Sequence, residues 1–290
     1  MLNMSQTIES LLISMTRLIP LKKTYSLAWR YSEALVKKNK NQPRIGKTIY
    51  GFSIMGQLQD YLFRSIYFKG TYEQEIFDIL DKLVSRDQIW YDLGSNIGYY
   101  TMYFATKTKL VVAVDANPEL TDLLAKTKEV NLLGNIHIVN RAISDLTDEK
   151  IEFFIAVNDL GRSSALKYDD ISDLKKIETT TTTVDTLIAN GEPSPFGMKI
   201  DIEGLEIKAL RGAKNLLSKA PPKIIVMELS QRPGVLAQPS EIIDFLRDYK
   251  YTPYLIRDKK LVLISQEFHL TPDLDPNVFF MHDSFKNWKA

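Results

Sequence analysis

The sequence predicts an α/β fold built on a mostly parallel sheet that ends in an antiparallel hairpin. Three observations predict it. From about residue 75, apolar runs of strand length alternate with helical patterns. One such run, IWYDL, is followed at once by a glycine turn that opens a helix. Two late strand candidates are joined by a connection too short for a crossover.

Taken in order, the chain opens with a basic head. Residues 1–50 contain nine Lys or Arg and two Glu, which leaves 28 basic and 34 acidic side chains in the rest. The apolar run LLISMTRLIPL is broken by Arg17 and Pro20 and follows Glu9 without a basic leader, so it reads neither as a signal peptide nor as a membrane span. A cytoplasmic protein is expected, with residues 1–70 as a helical N-terminal extension and small cap and residues 71–290 as the main domain. The head is read as a solvated helix packed on the core; the alternative is peripheral contact with an anionic membrane or a partner. IYGFSIMGQLQDYLFRSIYFKG, before the alternation begins, reads as short strands and turns over one sheet edge.

The strand candidates are QIWYDL, LVVAVDA, IHIVNRA, KIEFFIAV, GMKIDI, KIIVMEL, YTPYLIR and KLVLISQ, the last two forming the hairpin. Between them ELTDLLAKTKEVNLL and GLEIKALRGAKNLLSK space apolar residues for helices, and PSEIIDFLRDYK opens another with Ser240 as its expected cap. A polar, loop-rich region from Asn158 to Ile188 holds the longest low-complexity tract, the five threonines at 179–183.

Composition narrows the chemistry. With no cysteine, the chain has no disulfide, thiol nucleophile or cysteine-ligated metal centre, and its histidines, His137, His269 and His282, are too scattered in sequence to suggest a ligand cluster. Oxygen and nitrogen side chains must do the work.

In DLGSNIG, Gly94 permits a sharp turn after a strand and Gly98 lets the helix start lie close to a ligand, the context in which backbone amides meet a polar or anionic group. Asn96 stands where a dinucleotide fold has its second glycine and offers an amide instead. Asp92 suits a cationic ligand, or through water an ammonium, better than phosphates. Asp115 closes the second strand 21 residues after Gly94, the place for a carboxylate that accepts ribose hydroxyls. NRAISD, Asn140–Asp145, follows the third strand where an adenine edge would be read, with Ala142 as the candidate contact. Taken singly, Asp92 and Asp115 could equally be strand-end carboxylates capping a loop. Together these features point to a nucleoside-bearing ligand.

YDLGSNIGYYT, VVAVDANP, NRAISD, TVDTLI and above all MKIDIEGLEIKALRGA resemble the FkbM family of S-adenosylmethionine-dependent methyltransferases, from about Gly70 to Ser230. The resemblance implies a Rossmann-like, seven-stranded methyltransferase sheet, with the hairpin supplying its reversed last strand, and S-adenosylmethionine as cofactor. It places Asp92, Gly94, Asn96 and Gly98 in the cofactor loop and Asp115 on the ribose, where many relatives carry glutamate. KGTYE resembles the family's entry motif and makes Glu73 a partner for the methionine ammonium; a first-turn helix acid is the alternative. Tyr99, Tyr100, Tyr103 and Phe104 are assigned to packing.

The acid/base candidates are Asp201 and Glu203, two residues apart at the carboxyl end of a strand, on one face if the strand persists through both. Glu228 can join them from the neighbouring strand, and the three carboxylates could instead hold Mg²⁺. Glu203 could also be the cap or first-turn acid of the following helix, and Lys199 is expected to pack its stem while its ammonium reaches solvent. In the polar region, Arg162, Ser163 and Ser164 are acceptor contacts or an exposed loop, and Asp185 is expected to cap the helix after TTTV.

The function expected is O-methylation of a hydroxyl on a small-molecule or glycan acceptor: a sugar, glycan or secondary metabolite. A nicotinamide-dependent oxidoreductase is the second reading, disfavoured by the missing middle glycine, and a non-catalytic nucleotide-binding scaffold is the third. No nucleic-acid partner is expected, because DIEG stands where an Asn/Asp-Pro-Pro-aromatic motif would be and the basic residues concentrate in the head.

Overall fold

The computed structural model describes residues 4–19, 22–38, 42–157, 160–167, 173–230, 234–264 and 276–285. The chain begins with α1 (Met4–Leu18) and α2 (Lys22–Lys37), the hairpin β1 (Arg44–Lys47) and β2 (Ser53–Gly56), and the helices α3 (Tyr61–Lys69) and α4 (Gln74–Leu80). An alternating stretch follows: β3 (Ile89–Leu93), α5 (Tyr99–Lys107), β4 (Leu110–Asp115), α6 (Pro118–Val130) and β5 (Ile136–Asn140). Next come β6 (Ala142–Ile143), β7 (Lys150–Ala156), β8 (Leu174–Thr182), α7 (Val184–Ala189), β9 (Gly197–Ile200), α8 (Glu206–Arg211) and α9 (Lys214–Lys219). The last elements are β10 (Ile224–Glu228), α10 (Pro239–Asp248), β11 (Tyr251–Arg257), β12 (Lys260–Leu263) and β13 (Asn277–His282).

Eight strands form the main sheet, in the order β12-β11-β13-β10-β9-β3-β4-β5. The run from β10 to β5 is parallel and the other three strands pair antiparallel. Successive residues of a strand face opposite sides. Trp90, Val111, Ala113, Val226 and Phe279 therefore enter the core beneath α3 to α6, and Tyr91, Val112, Met198, Ile225 and Phe280 the core beneath α7 to α10. Covered on both faces, the central strands read as nearly continuous apolar runs.

Several expectations are corrected. The reversed strand beside β10 is β13, inserted between β10 and β11, so the hairpin of β11 and β12 adds an eighth strand outside it. KLVLISQ is a strand only through Leu263, and its last two residues lie outside the described residues, as does His269. KIEFFIAV does not join the main sheet: β7 pairs with β8, and β8 with β6, in a separate three-stranded sheet. Four of the threonines read as a low-complexity tract belong to β8, where β-branched side chains favour the extended backbone.

In the region expected to hold strands and turns, Tyr61–Lys69 is a helix. Asp60 caps it by accepting from the Phe63 N–H at 2.7 Å, and Gly70 ends it at φ 79°. Ser240 lies inside the first turn of α10 rather than capping it; Gln238 is the cap, its N–H donating to Glu241 at 3.3 Å. GLEIKALRGAKNLLSK breaks into α8 and α9 at Gly212, where a Cβ would lie 2.2 Å from the Ser144 carbonyl oxygen. Asp185 caps α9 rather than its own helix, accepting from the Asn215 and Leu216 N–H groups at 2.8 and 2.9 Å, while Thr183 caps α7.

Candidate active site

The glycine turn leaves the sheet at the carboxyl end of β3. The N–H groups of Gly94 and Ser95 donate to the Val114 carbonyl at 2.9 and 3.0 Å, which ties the turn to the neighbouring strand. Gly94 has φ 84°, and a Cβ there would sit 1.8 Å from the Asp201 carbonyl oxygen, so glycine is required by both conformation and space. Asn96 occupies the left-handed region at φ 50°. Its side-chain oxygen accepts from the Ile97 N–H at 2.7 Å, which fixes the amide where it lines the cavity. Gly98, expected against the ligand, is not in the cavity wall. It starts α5 at φ 88°, and a Cβ on it would meet Leu124 Cδ1 at 2.3 Å, so its role is close packing of α5 on α6.

Two buried aspartates flank the turn. Asp115 Oδ2 accepts from the Asn96 N–H and Oδ1 from the Asn117 N–H, each at 2.8 Å; burial nevertheless pushes its pKa up to about 6. Asp92 accepts from the Thr101 hydroxyl at 2.5 Å, a contact that pins α5 to β3, and burial raises its pKa to about 6 as well. Beside them the Ser95 hydroxyl is buried in the cavity wall with no hydrogen-bond partner among the described residues.

The second turn leaves the sheet from β9, the strand next to β3. The strand stops at Ile200, so Asp201 and Glu203 do not share a face by strand alternation. Both still line the cavity, because the chain turns there with Glu203 in the left-handed region at φ 53°. Glu206 holds this turn: its Oε1 accepts from the Ile202 and Gly204 N–H groups at 3.2 and 3.1 Å, and burial pushes its pKa up to about 7. The capping duty weighed for Glu203 therefore falls to Glu206, which sequence reasoning passed over. The signal that could have exposed it is its position three residues after Glu203, on the apolar face of the next helix. Ser164 fixes the turn from outside, donating to the Glu203 carbonyl at 2.8 Å.

Lys199 overturns its expectation. Its side chain is 1% exposed, and the ammonium lies inside, 3.1 Å from Asp201 Oδ2 and 5.1 Å from the centre of the Tyr100 ring. Burial pulls its pKa down, but the carboxylates of Asp201, Glu73 and Glu228 outweigh that and hold it above the ordinary lysine value. Burial raises Glu228 well above the usual carboxylate range, reinforced by Asp201 and Glu203. Glu73, at φ 46° before α4, accepts from the Tyr100 hydroxyl at 2.6 Å and from Asn277 Nδ2 at 3.1 Å, and burial raises it too.

No three His, Cys, Asp or Glu residues among the described residues are arranged to hold a metal ion. The cation among these carboxylates is Lys199. Mg²⁺ held by Asp201, Glu203 and Glu228 therefore has no support in this arrangement.

One cavity of about 270 Å³ joins the two turns. Asp92, Gly94, Ser95, Asn96 and Asp115 line it from the first turn and its neighbouring strand, Lys199, Asp201 and Glu203 from the second, and Glu73, Glu228, Tyr61, Tyr72, Ala142, Ile143 and Phe153 complete the wall. Arg162 and Ser163 also line it, so they are not merely loop residues.

A family model described as the methyltransferase FkbM domain matches residues 92–253, more than half of the chain and every cavity residue from Asp92 to Glu228. The chain belongs to the FkbM methyltransferase family. A curated relative, the hexuronic acid methyltransferase AglP of Haloferax volcanii, is 26% identical over 198 residues, or 66% of this chain and 76% of that protein. Among solved structures, a methyltransferase FkbM from Methylobacillus flagellatus KT aligns at 16% identity and TM-score 0.43, over 68% of this chain but only 44% of that one. A precorrin-6y C5,15-methyltransferase from Geobacter metallireducens GS-15 aligns at 11% identity and TM-score 0.43, over 73% of this chain and 88% of that one. Glu73, Tyr61, Tyr72 and β13 lie outside the stretch that the FkbM model matches.

Proposed function

We propose that this FkbM-family protein is an S-adenosylmethionine-dependent O-methyltransferase acting on a hydroxyl of a sugar or glycan. The observation that carries the reading is the single cavity joining the Asp115 turn to the carboxylate cluster around Lys199. The donor set fits the cofactor. Asp115 holds its carboxylate in the wall with one backbone N–H on each oxygen, which leaves each oxygen capacity to accept a ribose hydroxyl. The partnerless Ser95 hydroxyl offers a further polar contact, and Ala142, Ile143 and Phe153 make an apolar slot for an adenine. Glu73 is the partner for the methionine ammonium. When bound, the cofactor supplies an electrophilic methyl carbon on a positively charged sulfur, and an acid-lined cleft favours a cation.

The chain's own work is to hold the acceptor and take its proton. Lys199 fixes Asp201 through Oδ2, so that Oδ1 can accept the hydroxyl proton of the acceptor. Glu228, whose carboxyl burial and the neighbouring Asp201 and Glu203 raise above the usual carboxylate range, faces the same cleft and can hold a second acceptor oxygen or hydroxyl. Tyr61 and Tyr72 give aromatic faces on which the C–H side of a sugar ring packs. Positioning of this kind accounts for about 7–11 kcal/mol of barrier lowering in favourable systems, without a covalent enzyme intermediate. The name of the Haloferax relative, a hexuronic acid methyltransferase, supports a sugar acceptor.

The test is transfer of a labelled methyl group from S-adenosylmethionine to a panel of uronic-acid-containing and neutral glycans. Product should form with the wild type on at least one sugar and fall by about 10²-fold or more with Asp201→Asn. Turnover of the donor on no sugar, with transfer to a non-sugar hydroxyl or to nitrogen, would replace the acceptor assignment.

A further inference from the structure

Helix α1 packs Leu12 and Ile13 on the core and adds polar contacts around them, yet it leaves a second apolar face uncovered. Glu9 forms an ion pair with Arg44 at 3.1 Å and accepts from the Tyr67 hydroxyl at 2.7 Å. Thr16 donates to the Phe68 carbonyl at 2.7 Å, and Arg17 reaches the Lys47 carbonyl at 2.7 Å. The outward face carries the exposed Ile8, Leu11 and Leu18 with a half-buried Met15 between them, spaced i, i+3, i+7 and i+10 along one stripe; Leu11 is 59% and Leu18 81% exposed. Ile19 continues this apolar surface past the helix end. A continuous exposed stripe of this kind marks a surface meant to be covered, in contrast to scattered single residues.

Helix α2 supplies the charge. Lys23, Arg30 and Lys37 are exposed along one face at helical spacing, with Leu27 and Ala34 between them. Both helices pack against α3, so their outward faces turn away from the same element. One of the head's two acids, Glu9, is consumed by Arg44, which leaves Glu33 as the acid opposing the exposed lysines and arginines of α2. We propose that α1 and α2 form a peripheral docking surface for anionic phospholipid bilayers, with the α1 stripe set into the headgroup boundary and the α2 cations on the lipid phosphates.

Charge decides between lipid and a second copy of this chain. Two copies meeting through this face would bring two rows of α2 cations together, whereas an anionic membrane neutralises them. No helix among the described residues is long and apolar enough to cross a membrane, which fits a surface that lies on the bilayer. The inference stands independently of the acceptor and cofactor.

Co-sedimentation of the full chain with sucrose-loaded vesicles tests it, using phosphatidylcholine alone and phosphatidylcholine mixed with phosphatidylglycerol. Binding is expected to the anionic vesicles only, and to fall as salt rises. The double variant Leu11→Glu/Leu18→Glu and the triple variant Lys23→Glu/Arg30→Glu/Lys37→Glu should each weaken it by about tenfold or more, with thermal melts unchanged because all five side chains are exposed. Three results would overturn the proposal: no binding to anionic vesicles, equal binding by the Leu11/Leu18 variant, or a wild-type dimer that the same variant dissociates. The last would assign the face to a second copy.

Discussion

The turn after β3 and the turn after β9 use the same device for different ends. Each follows the carboxyl end of one of two adjacent parallel strands, and each places a residue other than glycine in the left-handed region, Asn96 at φ 50° and Glu203 at φ 53°. Each is held by a buried carboxylate that accepts two backbone N–H groups: Asp115 for the first, Glu206 for the second. The difference lies in what else the carboxylate faces. Asp115 lines the cavity and Glu206 does not. The same chemistry thus makes a ligand-facing group in one turn and an internal brace in the other, where the brace frees Glu203 to face the cleft.

The sharpest way to break this pairing is at the contact between the turns. Gly94→Ala would drive a Cβ into the Asp201 carbonyl from a left-handed backbone and should cost about 3 kcal/mol or more, read as a lowered denaturant midpoint. Next comes Lys199→Met, which leaves the buried acids without their cation. It should cost about 3–5 kcal/mol and reduce methyl transfer, and Lys199→Arg should not restore the wild type, because a planar guanidinium does not reproduce the compact charge that the ammonium sets 3.1 Å from Asp201 Oδ2.

Glu206 sharpens the comparison through pH. Its folded-state pKa, about 7, lies above its ordinary 4.5, so between those values the unfolded chain ionises while the folded protein stays protonated. Stability should therefore fall as pH rises from about 4.5 to 7, by a few kcal/mol from this group. Asp92 and Asp115 add the same sign between about 4 and 6. Glu206→Gln should flatten the 4.5 to 7 segment in urea unfolding curves. An unchanged slope would mean that burial does not raise the Glu206 carboxyl in the folded protein.

Ser95→Ala is the smallest perturbation. With no protein partner to lose, the variant should match the wild type in stability within about 0.5 kcal/mol while binding the cofactor more weakly, by up to about tenfold. Equal binding would remove Ser95 from the ligand contacts.

Much of this was legible in the sequence. Continuous apolar runs mark the buried parallel strands, and Gly94, Asp115, Asp201 and Glu203, which the structure brings to one cavity, stand out because a turn and a strand-end carboxylate both leave local signatures. What stayed hidden is tertiary. NVFFMH pairs with β10 and β11 across more than 20 residues of chain, and nothing local announces its place between them. Lys199 reads as a snorkelling strand lysine until the fold brings Glu73 from before α4 and Glu228 from β10 to join Asp201 around it. Gly98 resembled a ligand contact because the turn that needs it also starts a helix, but Leu124, 26 residues on, is what fills the space beside it. Asp185 and Glu206 brace helices and turns that are not their own first turns, a duty no spacing rule reveals.

The central claim is that S-adenosylmethionine binds against Asp115 while Asp201 serves the acceptor. Calorimetric titration of the full chain with S-adenosylmethionine and, separately, with NADH tests it most directly, repeated on Asp115→Ala and Asp201→Asn. The account predicts binding of the methyl donor and not of NADH, lost in Asp115→Ala and kept in Asp201→Asn. Binding of NADH alone, or of neither nucleotide, would contradict it.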